Sequence, residues 1–382
     1  MRFYLIFTVI FMLMLAVSLV QARRQVGVAH HASLVLLGYG LAVSLLLAST
    51  RAMPETWSVD LARVLWWLGY GTFAAVAYLF LFQVLLLFAE LSAWLLAPGL
   101  LPFFRSWRAL CLAFGLTGLV LAYGSYELGA VRPLTRQITS AKVRQPVRLV
   151  AISDLHLGVM STEARMDSLV ALIMVQKPDL LLLVGDIVND HPASLEPLAA
   201  KLAQIRPRLG SYGVFGNHER YEGDGASARV FGWAGSRLLC NEAVRLPEAG
   251  LQLLGVVDPG RAVDVGAELT REIRSLEPQL DPALFRVLLN HRPQSWREAA
   301  QPLGIELMLS GHTHRGQVFP FYLVVSLFHE FMGGYYEEAG PDGQRAVLGV
   351  SAGAGFWGPP LRVLAPPDIL VVDIVPAPAP AP

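Results

Sequence analysis

The stretch LVAISDLHLG, residues 149–158, decides how the chain reads. Its apolar opening predicts the end of a buried strand, broken at Ser153. Asp154 and His156 then follow two residues apart. At the carboxyl end of a strand this sets a hard oxygen ligand beside a borderline nitrogen ligand, a pair that suits a divalent transition metal. An Asp-x-His is equally at home in a solvated loop, so its meaning depends on the rest of the chain.

Of the 382 residues, 54% are hydrophobic and 16% charged, which is too apolar for an ordinary soluble protein. The excess lies in the first third. Uncharged runs occupy residues 3–20, 32–50, 64–89 and 109–126, each with roughly the 18 or more residues that cross a hydrocarbon core. A cleavable signal peptide starting at Arg2 would explain the first run but not the other three. Residues 1–128 therefore read as a bundle of about four transmembrane helices. Residues 91–104 are apolar but short and carry Pro98, Gly99 and Pro102, and they read as interfacial or re-entrant. Glu90, just before them, is expected at the interface.

Arg132, Arg136, Lys142, Arg144 and Arg148 follow the last run closely. They read as a basic juxtamembrane linker over 129–146, which places the following domain on the cytoplasmic side of a cell inner membrane. An even number of spans puts the amino terminus there too, with Arg23, Arg24, Arg105 and Arg108 on the opposite side. Residues 1–150 hold 12 Lys/Arg and 4 Asp/Glu, and residues 151–382 hold 18 and 26. The second part is net acidic by eight, which argues against a nucleic-acid partner. Cys111 and Cys240 fall in no motif.

From residue 147 the pattern alternates. A strand over 148–152 leads to a helix near 162–176, where Met166, Leu169, Val170, Ile173 and Met174 have helical spacing. A wholly apolar strand at 180–184 precedes a second helix near 194–205. Further strands are expected near 211–215, 251–257, 285–289, 305–309, 346–350 and 369–375. This is an α/β domain over 147–375 with buried central strands, followed by a disordered Pro/Ala tail at 376–382.

Five of these strands end in polar clusters: Asp154 and His156; Gly185-Asp186; Gly216-Asn217-His218-Glu219; Asn290-His291; and Gly311-His312-Thr313-His314. Ligands collect at the carboxyl ends of strands in layered α/β folds. The set is sufficient for two metal ions with one bridging carboxylate. Five of the nine histidines fall at these ends, while His30, His31, His191 and His329 lie outside the pattern. Nitrogen and oxygen donors without a thiolate suit manganese, iron or zinc.

Together these motifs resemble, in order and context, the five signatures of the calcineurin-like metallophosphoesterases. Ser310–Gln317 is similar to the Gly-His-Thr-His-x-Gly-Gln form of a membrane-associated bacterial branch. The resemblance implies a two-sheet β-sandwich flanked by helices. It implies that Asp154, His156 and His314 bind one divalent metal, that Asn217, His291 and His312 bind the other, and that Asp186 bridges them. It also implies hydrolysis of a phosphate ester or pyrophosphate by a metal-bridging hydroxide, with His218 as the catalytic histidine. The alternative is that His218 only orients Asn217. Arg315 stands where the branch has glycine, and it would clamp a phosphate or point to solvent. Asn189 and Asp190 replace a closing acid and are not expected to be ligands.

The substrate expected for four spans and a phosphoesterase is a lipid-linked phosphate, such as a UDP-diacylglucosamine-like lipid or a phospholipid. Residues 318–336 are unusually apolar and read either as a membrane-dipping lid or as a core hairpin. Two alternatives stay open: a phosphodiesterase on soluble nucleotides with the helices as anchor, and a membrane sensor with an inactive domain. Oligomeric state is left open.

Overall fold

The computed structural model describes residues 2–49, 58–190, 194–340, 343 and 345–378. His191, Thr50 and tail residues 379–382 lie outside the described residues. The chain forms two compact units: Met1–Tyr126 with Gly358–Leu361, and Glu127–Trp357 with Arg362–Pro382.

The first unit holds α1 (Arg2–Val26), α2 (His30–Ser49), α3 (Val59–Leu96), the single turn α4 (Leu101–Phe104) and most of α5 (Trp107–Gly129). All four apolar runs are helical, but the expected count of about four spans is corrected to three. Among the described residues, Ile6–Val26, Val59–Leu96 and Trp107–Gly129 are long and apolar enough to cross a bilayer. The second run counts only as the shorter apolar helix His30–Leu46. The stretch expected to be re-entrant is helical as far as Leu96. Pro98, which lacks an amide N–H, then opens a 3₁₀ turn over Pro98–Leu100. Glu90 is buried and paired with Arg24 at 3.1 Å and Arg105 at 2.6 Å. Gln83 Nε2 donates to Gln25 Oε1 at 3.2 Å. These polar ties hold α1 to α3 where no water would compensate a lone charge.

The second unit is built on two six-stranded sheets. The first runs β1 (Arg132–Ser140), β12 (Asp368–Pro376), β2 (Val147–Ile152), β3 (Leu180–Val184), β4 (Ser211–Val214) and β5 (Arg237–Leu238). The second runs β10 (Gly334–Ala339), β11 (Arg345–Val350), β9 (Leu307–Ser310), β8 (Phe285–Leu289), β7 (Leu251–Gly255) and β6 (Glu242–Leu246). The two-fold periodicity of strands divides each one between two cores. Leu149, Leu180, Leu182 and Val184 face Val287, Leu289, Leu307 and Leu309 between the sheets. Val150, Ile152, Leu181 and Leu183 turn outward to α6 (Glu163–Val175), α7 (Glu196–Leu202) and α9 (Asp224–Trp233). On the far face of the second sheet, Leu288 and Met308 meet α10 (Val265–Ser275) and Trp296. This is the expected helix-flanked sandwich. Burial on both faces is why the central strands read as unbroken apolar runs.

The expected linker at 129–146 is corrected. Residues 132–140 form strand β1, parallel to β12 in register from Arg132↔Asp368 to Ser140↔Pro376. Leu134 and Ile138 share the face that packs on the inter-sheet core, and the charges between them hide that period. The basic residues are internal partners of the domain: Arg132 with Glu127 at 2.6 Å, Arg148 with Asp373 at 2.7 Å, Arg136 with Glu337 and Lys142 with Glu306. The basic cluster is thereby neutralised by carboxylates and argues little about membrane sidedness.

Leu182 is fully buried in β3 between the sheets. Leu182→Ala is expected to cost about 2–5 kcal/mol and to lower the thermal unfolding midpoint of the detergent-solubilised chain. Met174→Ala, at a half-exposed position on α6, should leave it nearly unchanged.

Candidate metal centre

The carboxyl ends of β2, β3 and β4 in one sheet and of β8 and β9 in the other carry the candidate ligands. Asp154 and His156 follow β2, and Asp186 follows β3. Asn217 and His218 open the short helix α8 (Asn217–Glu222) after β4, His291 follows β8, and His312 and His314 follow β9. The chain must reverse sharply at these ends, and it does so in the left-handed region. Asp154 has φ 52°, His156 47°, Asp186 52°, His312 73° and His314 49°. Non-glycine residues seldom adopt such angles, and strain of this kind persists only where packing enforces it. Gly185 (φ 76°) makes the close approach between the sheets possible. A Cβ there would lie 2.7 Å from both Gly216 N and His291 Nδ1.

All eight residues singled out around the metal chemistry come together. Three overlapping groups have ligand atoms within 4.8 Å of one another: Asp154, His156 and His314; His156, Asp186 and His218; and Asp186, His291 and His312. Asp186 Oδ2 lies 3.2 Å from His291 Nε2 and 3.9 Å from His156 Nε2. His314 Nε2 lies 3.3 Å from Asp154 Oδ1. Asp186 Oδ1 accepts the His218 backbone N–H at 2.9 Å, which seats Asn217 beside it.

The donor set fits divalent metal on three counts. His156 and His314 bring their Nε2 atoms to 3.0 Å, a distance at which two neutral imidazole lone pairs repel unless a cation or proton lies between them. Asn217 Oδ1 is buried without a hydrogen-bond partner. The Val184 carbonyl, 2.8 Å from His291 Nδ1, can only accept, so that nitrogen carries the proton and Nε2 is left as the ligand atom. Burial, followed by nearby cationic groups, holds His156, His312 and His314 well below the ordinary imidazole range, in the neutral, ligating form. Burial raises Asp154 to about 6. In Asp186 burial acts upward as well, but His291 and His218 outweigh it and hold the carboxyl well below its usual range.

Two supports had no assigned part in the sequence reading. Glu219 is fully buried and accepts the backbone N–H groups of Asp186 (2.9 Å), Val188 (2.9 Å) and Gly216 (2.7 Å). It fixes two ligand loops to one carboxylate, and its place beside Asn217 and His218 in the sequence was the available signal. Arg362 is fully buried. Its guanidinium donates to the carbonyls of Ala352 (2.7 Å), Gly353 (3.1 Å), Gly355 (2.6 Å) and His314 (3.1 Å). Gly355 N–H in turn donates to the Asp154 carbonyl at 3.0 Å. Its signals were an arginine inside the otherwise apolar stretch GFWGPPLRVL, residues 355–364, and the resemblance of Pro359–Arg362 to the closing motif of the membrane-associated branch.

The remaining expectations divide. The His218 ring stands edge-on to His156, with centroids 4.5 Å apart, within reach of the cluster. Arg315 is exposed, at φ 51°, with its stem along Gly333, outside the three ligand groups. Asp190 accepts the Val159 N–H at 3.2 Å and braces the loop that follows His156. His329, outside the sequence pattern, packs its ring 5.4 Å from that of His312.

A model of the calcineurin-like phosphoesterases matches residues 147–316, the stretch that contains every candidate ligand. A protein of Aquifex aeolicus named "uncharacterized metallophosphoesterase" is 34% identical over 259 residues, covering 67% of this chain and 96% of its own length. The chain belongs to the calcineurin-like phosphoesterases. A Helicobacter pylori protein of the same name is 30% identical over 262 residues, 66% of each chain. A zebrafish (Danio rerio) "transmembrane protein with metallophosphoesterase domain" is 29% identical over 290 residues, 69% of this chain and 62% of its own. The phosphoesterase thus spans just under two thirds of the length of these last two relatives. Its three candidate spans and its transmembrane relatives make it a membrane protein.

Arg362 holds the loop behind Asp154 and His314, and its guanidinium lies 3.5 Å from His314 Nδ1. Arg362→Met should weaken divalent-metal binding roughly 10–100-fold, as loss of ligand-orienting partners does. Titration of the chelated protein with zinc or manganese measures this. Arg345→Met, at an exposed pair with Glu337, should bind as the unaltered chain does.

Proposed function

We propose that the phosphoesterase hydrolyses a phosphate ester or pyrophosphate of a lipid-linked substrate at a centre for two divalent metal ions. The observation that carries this reading is the convergence of five strand ends on one buried donor set in which Asp186 faces both halves. Asp154, His156 and His314 would hold one ion, Asn217, His291 and His312 the other, and Asp186 both. Manganese, iron and zinc all suit these donors. Bound metals would supply charge stabilisation on the phosphoryl oxygens and a nucleophile at neutral pH.

The chain's own residues do the rest. Asp186 holds the backbone of His218, and the T-shaped contact with His156 sets the ring's edge toward the cluster. From there His218 would hold a proton for the leaving oxygen. Arg315, exposed, has a planar donor fork suited to a second anionic group of the substrate. The lipid-linked substrate is supported by three bilayer-length helices in the same chain and by the exposed apolar stretch that follows His314. A UDP-diacylglucosamine-like lipid and a phospholipid are the substrates to compare. A cytoplasmic face on the inner membrane keeps only Arg144 as its support, because three spans put Arg2 on the opposite side.

Full-length protein, chelated and then reloaded with manganese, should recover hydrolysis of bis-p-nitrophenyl phosphate. His312→Ala should lose both metal and activity. His218→Ala should keep its metal while kcat falls about 10²–10⁴-fold, the usual contribution of a general acid. Failure of the reloaded protein to bind metal would overturn the reading. Equal turnover of lipid-linked and soluble nucleotide diesters would remove its lipid component.

A further inference from the structure

Exposed large hydrophobics are unevenly placed on the second unit. Among its described residues twelve are exposed, and seven of these lie between Phe319 and Phe328. Leu327 is 79% exposed and Phe328 75%. Trp357 and Leu364 extend the same patch. Val318 bridges Val363, Phe319 N–H donates to the Val363 carbonyl at 3.0 Å, and Gln317 Nε2 donates to the Trp357 carbonyl at 2.8 Å. Singly exposed apolar residues are ordinary, but a contiguous patch is not.

The two readings of residues 318–336 are thereby divided between its halves. Phe331 and Tyr336 pack on the core behind the second sheet, and Tyr335 packs between the sheets. Tyr335 Oη donates to the carbonyls of Leu134 and Val371. The first half, which includes α11 (Phe321–Val325), contributes no buried residue from Phe319 to Phe328. It is nevertheless held at both ends, by Val318 on Val363 and by Thr313 Oγ1 donating to the Met332 carbonyl at 2.8 Å. The patch also borders the metal centre: the Trp357 ring lies 6.1 Å from that of His218.

We propose that this surface inserts into the lipid interface, so that the metal centre works at the bilayer surface. Three features favour lipid over a second copy or another protein. No Asp, Glu, Lys or Arg occurs from residue 316 to residue 329, so the segment itself offers no charge to a protein partner. Its mixture of Phe and Tyr with Leu and Val is the composition that settles at the headgroup boundary. The chain's own spans keep a bilayer at high effective concentration, whereas a separate partner must lose its translational freedom to bind. The inference rests on membrane anchoring and not on the identity of the substrate.

The test uses the full chain with Cys111→Ser and Cys240→Ser, reconstituted in phosphatidylcholine–phosphatidylglycerol vesicles. Leu327→Cys, or Val263→Cys as an exposed position elsewhere on the same unit, carries an environment-sensitive nitrobenzoxadiazole label. The expected result is a blue-shifted label at 327 that is quenched by shallow spin-labelled lipid and protected from iodide. The label at 263 should be quenched by iodide alone. Equal iodide quenching at the two positions would overturn the proposal. So would a blue shift at 327 without lipid quenching, which would assign the patch to a second copy or another protein. As a second arm, a label at Leu323→Cys should lose lipid quenching when Leu327→Asp and Phe328→Asp are added, while hydrolysis of bis-p-nitrophenyl phosphate by that variant stays unchanged. Because quenching is read apart from turnover, a non-lipid substrate would leave this result standing.

Discussion

The carboxylate of Asp186 is the point on which the second unit turns. One oxygen accepts the backbone N–H of His218, and the other faces His291 at 3.2 Å and His156 at 3.9 Å. It therefore joins ligand loops from both sheets. A carboxylate so completely buried is tolerable only among positive charge and donors. The backbone N–H of His218 supplies a donor, while Glu219, itself an acceptor, fixes the loop that carries the carboxylate. The cationic counterpart is what a divalent metal would provide.

That requirement explains the local backbone. Five candidate ligands adopt positive φ angles that side chains ordinarily avoid, and the surrounding packing enforces them. Leu180–Val184 and the neighbouring central strands are buried on both faces, which makes the strand ends rigid platforms. Arg362 then clamps the loop behind Asp154 and His314 from within the fold. Strain at the site is offset by hydrophobic burial and backbone hydrogen bonding a few residues away.

The membrane part follows a separate logic. Apolar length and hydropathy mark three candidate spans among the described residues. The few polar groups there find one another, as Glu90 does with Arg24 and Arg105. Charge is less informative than the sequence suggests. Arg132, Arg136, Lys142 and Arg148 read as a flag of orientation, yet each meets a carboxylate of the domain. Three of these partners, Glu306, Glu337 and Asp373, lie more than 160 residues away, so no local reading could have found them.

By itself the sequence determined the elements and the donor set. Unbroken apolar strands, punctuated by Gly-Asp, Gly-Asn-His and Gly-His-Thr-His, carry their own periodicity and turn chemistry. Those signals are local, and for that reason legible. Only the tertiary structure decided which residues support the donors. Arg362, Glu219 and His329 act across distances in sequence that carry no period. It also decided that 132–140 is a strand and not a linker, because strand pairing with β12 is a long-range contact. It divided residues 318–336 into a packed half and an exposed half as well. Both halves carry large aromatic side chains, and burial is a property of the neighbours a residue meets, not of the residue itself.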